Sequence, residues 1–527
     1  MSEEKIKLPK LNFDRFLAYY SMVLIALHLT LRIPDPDFDL WARLAVGSLF
    51  FQTGWVLKHD IFSYVPTKDL WIDHEWGSGV IFFNLIHYFG INALFFLKFL
   101  IILAIFLLII EISALKSKHL MGPVYLFLVG YSLFPSLASQ VRSQAFTFLF
   151  FALWIYVLER VRKGENRILW IIPVTTAIWA NLHGGFIAGF GLLAIYALGE
   201  LFNKRNPVKY ILTLLASILF TLINPYGIHL WWYIWDAATL NRLGFIEWQP
   251  IDLMGGPFHY LNGIPLHILL GFVIFTVLTL LIGIKQLVNK KNPDWVKIIA
   301  LCILSTLGWR LQRHNLFFVI FASSTLFHLY YDLFSSFAEN FSGRFYPIVV
   351  KIFLFIKKST IIFLLFFYSL MLAWVKPGIL AANPYFYPIR AYEFIKINNI
   401  TGNLATTYNW GSYALWKLYP QCRVFIDGRY EEVYPNDHFL RALNFSEHVS
   451  NSWYYFLNKY HTDIIVAPKS AYNEDDFMSI PDWTIVYSDP VSYVLLPKSR
   501  LKKNYIYPDI NHPDIMNLDF SRQVNLD

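Results

Sequence analysis

Residues 32–91 read RIPDPDFDLWARLAVGSLFFQTGWVLKHDIFSYVPTKDLWIDHEWGSGVIFFNLIHYFGI, a polar stretch caught between long apolar ones. It concentrates Asp35, Asp37, Asp39, Asp60, Asp69, Asp73 and Glu75, with His59 and His74. Most of the remaining first 375 residues is apolar. A lipid-soluble chain that gathers carboxylates in its first loop is expected to do its chemistry there.

The composition supports that framing. The chain is 56% hydrophobic and only 15% charged, against roughly 25% charged in soluble domains. Several uncharged runs are long enough to span a bilayer. The expectation is an α-helical polytopic membrane protein with about eleven transmembrane helices over 1–375, followed by an extracytoplasmic α/β domain over 376–527. The net charge of +8 is not a nucleic-acid footprint, because much of it lies in short basic loops of the kind that orient membrane proteins. Cys302 sits in an apolar run and Cys422 in the polar tail, so no disulfide is expected between them.

Charge also sets the topology. Lys5, Lys7, Lys10 and Arg15 precede the first span, at about 16–31, and place the N-terminus in the cytoplasm and the acidic loop outside. Residues 76–112 admit either two spans or a surface helix followed by one span. One span keeps Lys116, Lys118, Arg160, Arg162, Lys163 and Arg167 inside, and is preferred. Further spans follow at about 121–138, 143–159, 168–181, 185–202, 209–224, 264–284, 296–310, 314–333 and 359–375, with an outer loop at 225–262. Within the first loop, Leu40, Leu44, Gly47 and Phe51 form one stripe, and Trp76, Val80, Phe83 and His87 another. Both predict short amphipathic helices lying in the membrane interface.

After 375 the pattern predicts helices at 387–400, 411–419 and 451–460, strands at 403–407, 423–427 and 463–467, and a hairpin of 483–488 with 491–496. Asp427 and Arg429 read most simply as a strand end and turn.

In this topology Lys98, Arg142, His183, Arg310, Arg313 and His314 all fall near outer span ends. Joined to Arg43, Asp60, His74 and Glu75 of the first loop, they would line one cavity at the outer leaflet. Cations of this kind hold a lipid phosphate, and a carboxylate serves as general base on an incoming hydroxyl. For Asp37 and Asp39 the competing role is helix N-capping.

The same residues resemble the glycosyltransferase-C superfamily, membrane enzymes that use polyprenyl-phosphate-linked sugars. The resemblance rests on Asp39-Leu40-Trp41-Ala42-Arg43 with Gly47, on Asp60-Ile61-Phe62-Ser63-Tyr64 and on Trp71-Ile72-Asp73-His74-Glu75-Trp76. Trp179-Ala180-Asn181-Leu182-His183-Gly184-Gly185 and Asn224-Pro225-Tyr226-Gly227 also fit a bacterial subgroup of it. It implies Asp39 as catalytic base, with Asp37 its nearest rival, and inversion at the anomeric carbon. Metal-dependent members carry a further acidic motif in the second outer loop. Here that loop reads Ser139-Gln140-Val141-Arg142-Ser143-Gln144, which disfavours a divalent metal and favours an arginine on the leaving phosphate. Asn409-Trp410-Gly411-Ser412-Tyr413 resembles, more weakly, the acceptor-binding Trp/Asp/Tyr/Gly motif of oligosaccharyltransferases.

The expected partners are a polyprenyl-phosphate sugar donor, membrane lipid, and an acceptor that is protein, lipid or glycan, with no nucleic acid. Two rival functions are a transporter or flippase for a lipid-linked or anionic solute, and a non-catalytic scaffold built on the same fold.

Overall fold

The computed structural model describes residues 13–32, 36–137, 140–240, 248–251, 273, 275–283, 293–332, 361–362, 364–366, 368–372, 385–448, 454–478 and 480–509. Helix α1 (Phe13–Leu31) leads into the first loop. There the two expected helices form α2 (Phe38–Thr53) and α3 (Trp76–Phe89), but α2 is buried all round over Leu40–Leu49 rather than lying with one face open. They cross at glycines. A methyl group on Gly47 would lie 2.2 Å from the Gly79 carbonyl oxygen, and one on Gly79 would lie 2.5 Å from that of Arg43. Only hydrogen at both positions lets the two backbones meet.

The helical layer continues through α4 (Asn92–Ala114), α5 (Pro123–Leu137), α6 (Gln144–Arg162), α7 (Ile171–Leu182), α8 (Phe186–Phe202), α9 (Val208–Phe220), α10 (His229–Thr239), α11 (Trp295–Arg310) and α12 (Asn315–Thr325). Among the described residues, only α4 and α6 are long and apolar enough to cross a membrane by length and composition. Pro123–Leu133, α8 and α9 are shorter apolar helices. At 1.5 Å per residue, the 13 residues of α9 reach roughly 20 Å, short of a hydrocarbon core of about 30 Å. Eleven full spans are therefore more than the described helices provide. Much of the eighth and eleventh expected spans, and the division at 375/376, lie outside the described residues. The outer loop expected at 225–262 contains α10. Its Leu230 and Tyr233 are buried, while Trp232 and Trp235 face outward.

At the end of the bundle away from the first loop, buried charges tie the helices together. The Glu159 carboxylate is held by Lys116, by Arg162 and by the Tyr196 hydroxyl. Arg162 also bonds Glu200 at 2.7 Å and Asp294 at 2.8 Å. These pairs join α6, α8 and the start of α11.

The tail is α/β, as expected. Its elements are α13 (Ile389–Ile397), β1 (Gly402–Ala405), α14 (Tyr408–Leu418), β2 (Cys422–Val424), α15 (Tyr430–Val433), α16 (Asn436–Glu447), α17 (Tyr454–Lys459), β3 (Ile464–Pro468), α18 (Glu474–Met478), β4 (Trp483–Ser488) and β5 (Ser492–Pro497). Helices α15, α16 and α18 were not foreseen; α15 and α18 are only four and five residues long, whereas α16 carries an apolar stripe at Phe439, Ala442 and Phe445 that the sequence reading passed over. The sheet order is β2-β1-β3-β5-β4, with β2, β1 and β3 parallel and the hairpin antiparallel. Every residue of β3 is buried.

The first loop adds itself to this sheet. Val424 N–H donates to the Phe62 carbonyl at 2.8 Å, and Tyr64 N–H donates to the Val424 carbonyl at 3.3 Å, a parallel bridge at the β2 edge. Beside it, the fully buried Arg429 takes Asp427 and Asp60 at once, at 2.7 and 2.6 Å. The guanidinium lies over the rings of Phe62 and Trp71, 4.9 and 4.6 Å from their centroids. Arg429→Ala strands two buried carboxylates. It is expected to cost about 3–5 kcal/mol, read as a lowered midpoint of thermal unfolding of the purified chain.

Candidate functional site

Helix α2 positions the first acids, and the structure gives the two neighbours different work. Asp37 is the N-cap: its Oδ1 accepts the Asp39 N–H at 3.0 Å. Its Oδ2 accepts from Arg142 Nε at 2.5 Å. Asp39, in the first turn of α2, has its side chain turned into a cavity of about 390 Å³. Among the described residues, no hydrogen-bond donor engages the Asp39 carboxylate. Burial, with the charges of Asp37 and Glu75, pushes its carboxyl well above the usual carboxylate range, against the pull of Arg142 and Arg43.

The same cavity is lined by Asp37, Arg43, Glu75, Arg142, His183 and Arg313. Arg43 is buried and bonds Asp73 and, at 3.0 Å, Glu432 of α15, with Glu75 at 3.5 Å. Glu75 lies 3.4 Å from His183 Nε2. Although burial alone would raise Glu75, His74, Arg43, His183 and Arg313 together hold it near 2. His183 Nδ1 accepts the Gly185 N–H at 2.8 Å and lies 2.9 Å from the Thr147 hydroxyl. Burial holds its imidazole down to about 3. That network assigns the neutral ring's proton to Nε2, facing Glu75.

A second, mostly apolar cavity of about 450 Å³ adjoins the first. It is lined by Leu97, Lys98, Ile101, Leu137, Phe146 and Phe148 among others. Arg142, Gln144, Val141 and Phe82 border both cavities. Lys98 is buried and donates to the Thr30 carbonyl at 3.3 Å. The positive end of α6, which starts at Gln144, points to the place where the two cavities meet.

Not every sequence candidate is brought here. Asp60 is committed to Arg429 and to the Ser63 N–H, away from the cavity, because the first loop is pinned to the tail there. Arg310 is exposed at the end of α11. His314 packs on Trp248 and Phe317 instead of lining the cavity. His74 stacks on Tyr233 of α10 at 4.8 Å and stands behind Glu75. Trp410 is spent on the tail's own packing, donating from Nε1 to the Phe386 carbonyl at 2.8 Å.

The tail supplies what sequence reasoning missed. A methyl group on Gly428 would lie 2.4 Å from Asp39 Oδ1 and 2.8 Å from Ser412 Oγ, so the 426–432 segment closes over the acid. Glu432 accepts from Arg43 and from Trp71 Nε1, each at 3.0 Å. The charged run Asp427-Gly428-Arg429-Tyr430-Glu431-Glu432 was the available signal.

The donor set does not suit a divalent ion. Asp37 already holds a guanidinium, and residues 140–144 carry Arg142 and no carboxylate. Among the described residues, no group of three or more His, Cys, Asp or Glu is placed to hold a metal.

No protein-family model and no curated protein matches this sequence. Solved structures do match in fold. The archaeal oligosaccharyltransferase AglB from Archaeoglobus fulgidus, in complex with an inhibitory peptide and a dolichol-phosphate, aligns with a TM-score of 0.52 and 11% identity over 87% of this chain and 70% of that one. The same enzyme tethered to an acceptor peptide containing the NVT sequon gives 0.52 and 11% over 85% and 69%. Its apo form gives 0.51 and 12% over 87% and 70%. AglB is a member of the glycosyltransferase-C superfamily, so this chain has the fold that its first-loop motifs resemble.

The site also carries a pH signature. His74 Nδ1 lies 3.0 Å from Glu432 Oε1. Burial alone would lower the imidazole, but Glu432 and Glu75 raise it to about 8. A raised histidine contributes stability that is full below about 6.5 and is lost as pH rises through about 8, here roughly 2 kcal/mol. Thermal unfolding followed from pH 6 to 9 is expected to show this loss, and Glu432→Gln is expected to flatten it.

Proposed function

We propose that the chain is an integral membrane glycosyltransferase that moves a sugar from a polyprenyl-phosphate donor to an acceptor at the outer face of the membrane. The observation that carries this reading is the division of labour at the start of α2. Asp37 is paired with Arg142 and caps the helix, whereas Asp39 faces the cavity with no bonded partner among the described residues and a raised pKa. Arg142 and Arg313 line that same cavity.

The reaction then follows from charge. Asp39 accepts the proton of the acceptor's nucleophilic group as that group attacks the anomeric carbon. The bond from the anomeric carbon to the phosphate oxygen breaks on the opposite side, inverting the centre. The phosphate keeps the electron pair, and Arg142 and Arg313 stabilise its charge. The apolar cavity beside Arg142 suits the first isoprenoid units, with Lys98 in its wall. Glu75, held anionic by Arg43 and His74, keeps Arg43 from competing for the phosphate. No step is routed through a metal.

The test is transfer by the purified chain in nanodiscs, using radiolabelled polyprenyl-phosphate sugars and membrane extract as acceptor. Asp39→Asn is expected to lower transfer by about 10²–10⁴-fold. Since the base must be ionised, transfer falls as pH drops through the Asp39 pKa, and the midpoint lies above the ordinary carboxylate range. Gly428→Ala presses on Asp39 and is expected to lower kcat by about 10²-fold, whereas Gly191→Ala, which meets nothing within 4 Å, is silent. Transfer by wild type and Asp39→Asn at equal rates would refute the assignment.

A further inference from the structure

Arg142 stands at the junction of the two cavities, and its ion pair with Asp37 is unevenly exposed. The Asp37 side chain is 3% exposed and that of Arg142 is 31% exposed. The carboxylate is therefore fixed in the protein, while the guanidinium reaches into the space where the proposed function puts the donor phosphate. Asp37 has a second task, because its other oxygen accepts the N–H of Asp39. Arg142 thus serves a buried carboxylate now and, beside Arg313, a phosphate later, and one guanidinium shared between two anions compensates neither in full.

Resting on the proposed function, we propose that Asp37 is a built-in competitor for the donor phosphate: it holds Arg142 until the phosphate takes that charge over, and so tunes donor affinity. Asp37 is a positioning residue in this account, since it touches neither sugar nor acceptor. Because Asp37 also caps the helix whose first turn carries Asp39, capture of Arg142 by phosphate is felt at the base, and the coupling is reciprocal. Donor binding and base placement then share one carboxylate.

The experiment measures binding of polyprenyl monophosphate, without sugar, to the full chain in nanodiscs. Asn and Ser both cap helices well, so Asp37→Asn and Asp37→Ser remove the charge and keep the cap. Both are expected to bind the lipid about tenfold more tightly than wild type, with the gain erased when Arg142→Gln is added. Thermal unfolding of the same samples separates a loss of folding from a change in affinity. Unchanged or weaker binding in both variants, with wild type binding measurably, overturns the inference and leaves the proposed function standing. Absence of binding by wild type and every variant overturns both.

Discussion

A guanidinium enters a protein interior only if its counter-charges are already there, and Arg43 is the case on which this structure turns. It projects from the helix that carries Asp39 and is held by Asp73 and Glu75 from the first loop and by Glu432 from the tail. Three segments far apart in sequence must therefore be assembled for one charge to be buried. Asp73 and Glu432 are themselves buried, so removing Arg43 leaves buried carboxylates without their cation. The outcome is that the acid-bearing end of α2 is fixed from three sides while Asp39 keeps its carboxylate open to the cavity.

The tail is part of that assembly. It lends the first loop a sheet edge at Val424 and takes Asp60 onto Arg429. It also lays the Gly428 backbone against Asp39. Helix α10 supports the arrangement from the side through Tyr233, which stacks on His74 and donates to Glu431 at 2.8 Å. Loop, tail and helix thus pack together around the acids of the first loop.

Much of this was legible in the sequence. The stripes at Leu40–Phe51 and Trp76–His87 locate α2 and α3 closely, because amphipathic periodicity is local. Strands β3 and β4 follow from short runs rich in Ile, Val and Thr, whereas β1 (GNLA) carries no β-branched residue and the parallel pairing was not legible. The number of true spans was not legible, since hydrophobicity marks a helix as apolar without fixing its length. The site was legible only in part. Asp39, Glu75, Arg142, His183 and Arg313 share one cavity, but Asp60, Arg310 and His314 have the same chemistry and go elsewhere. Residue type states what a side chain can do, and only tertiary packing states which partner reaches it first. Glu432 and Gly428 escaped for that reason: their meaning lies in contacts with residues almost four hundred positions earlier.

In the proposed function the joined cavities on either side of Arg142 receive a lipid phosphate, with Asp39 facing its sugar. A polyprenyl-phosphate analogue with a photoreactive group on the isoprene unit nearest the phosphate tests it most directly. After crosslinking to the full chain in nanodiscs, the adducts are mapped by mass spectrometry. Adducts are expected on residues 97–102, 137 and 140–148, reduced by excess unlabelled lipid phosphate. Competed adducts that avoid both segments and fall instead on the tail or on the outward face of α10 would contradict it.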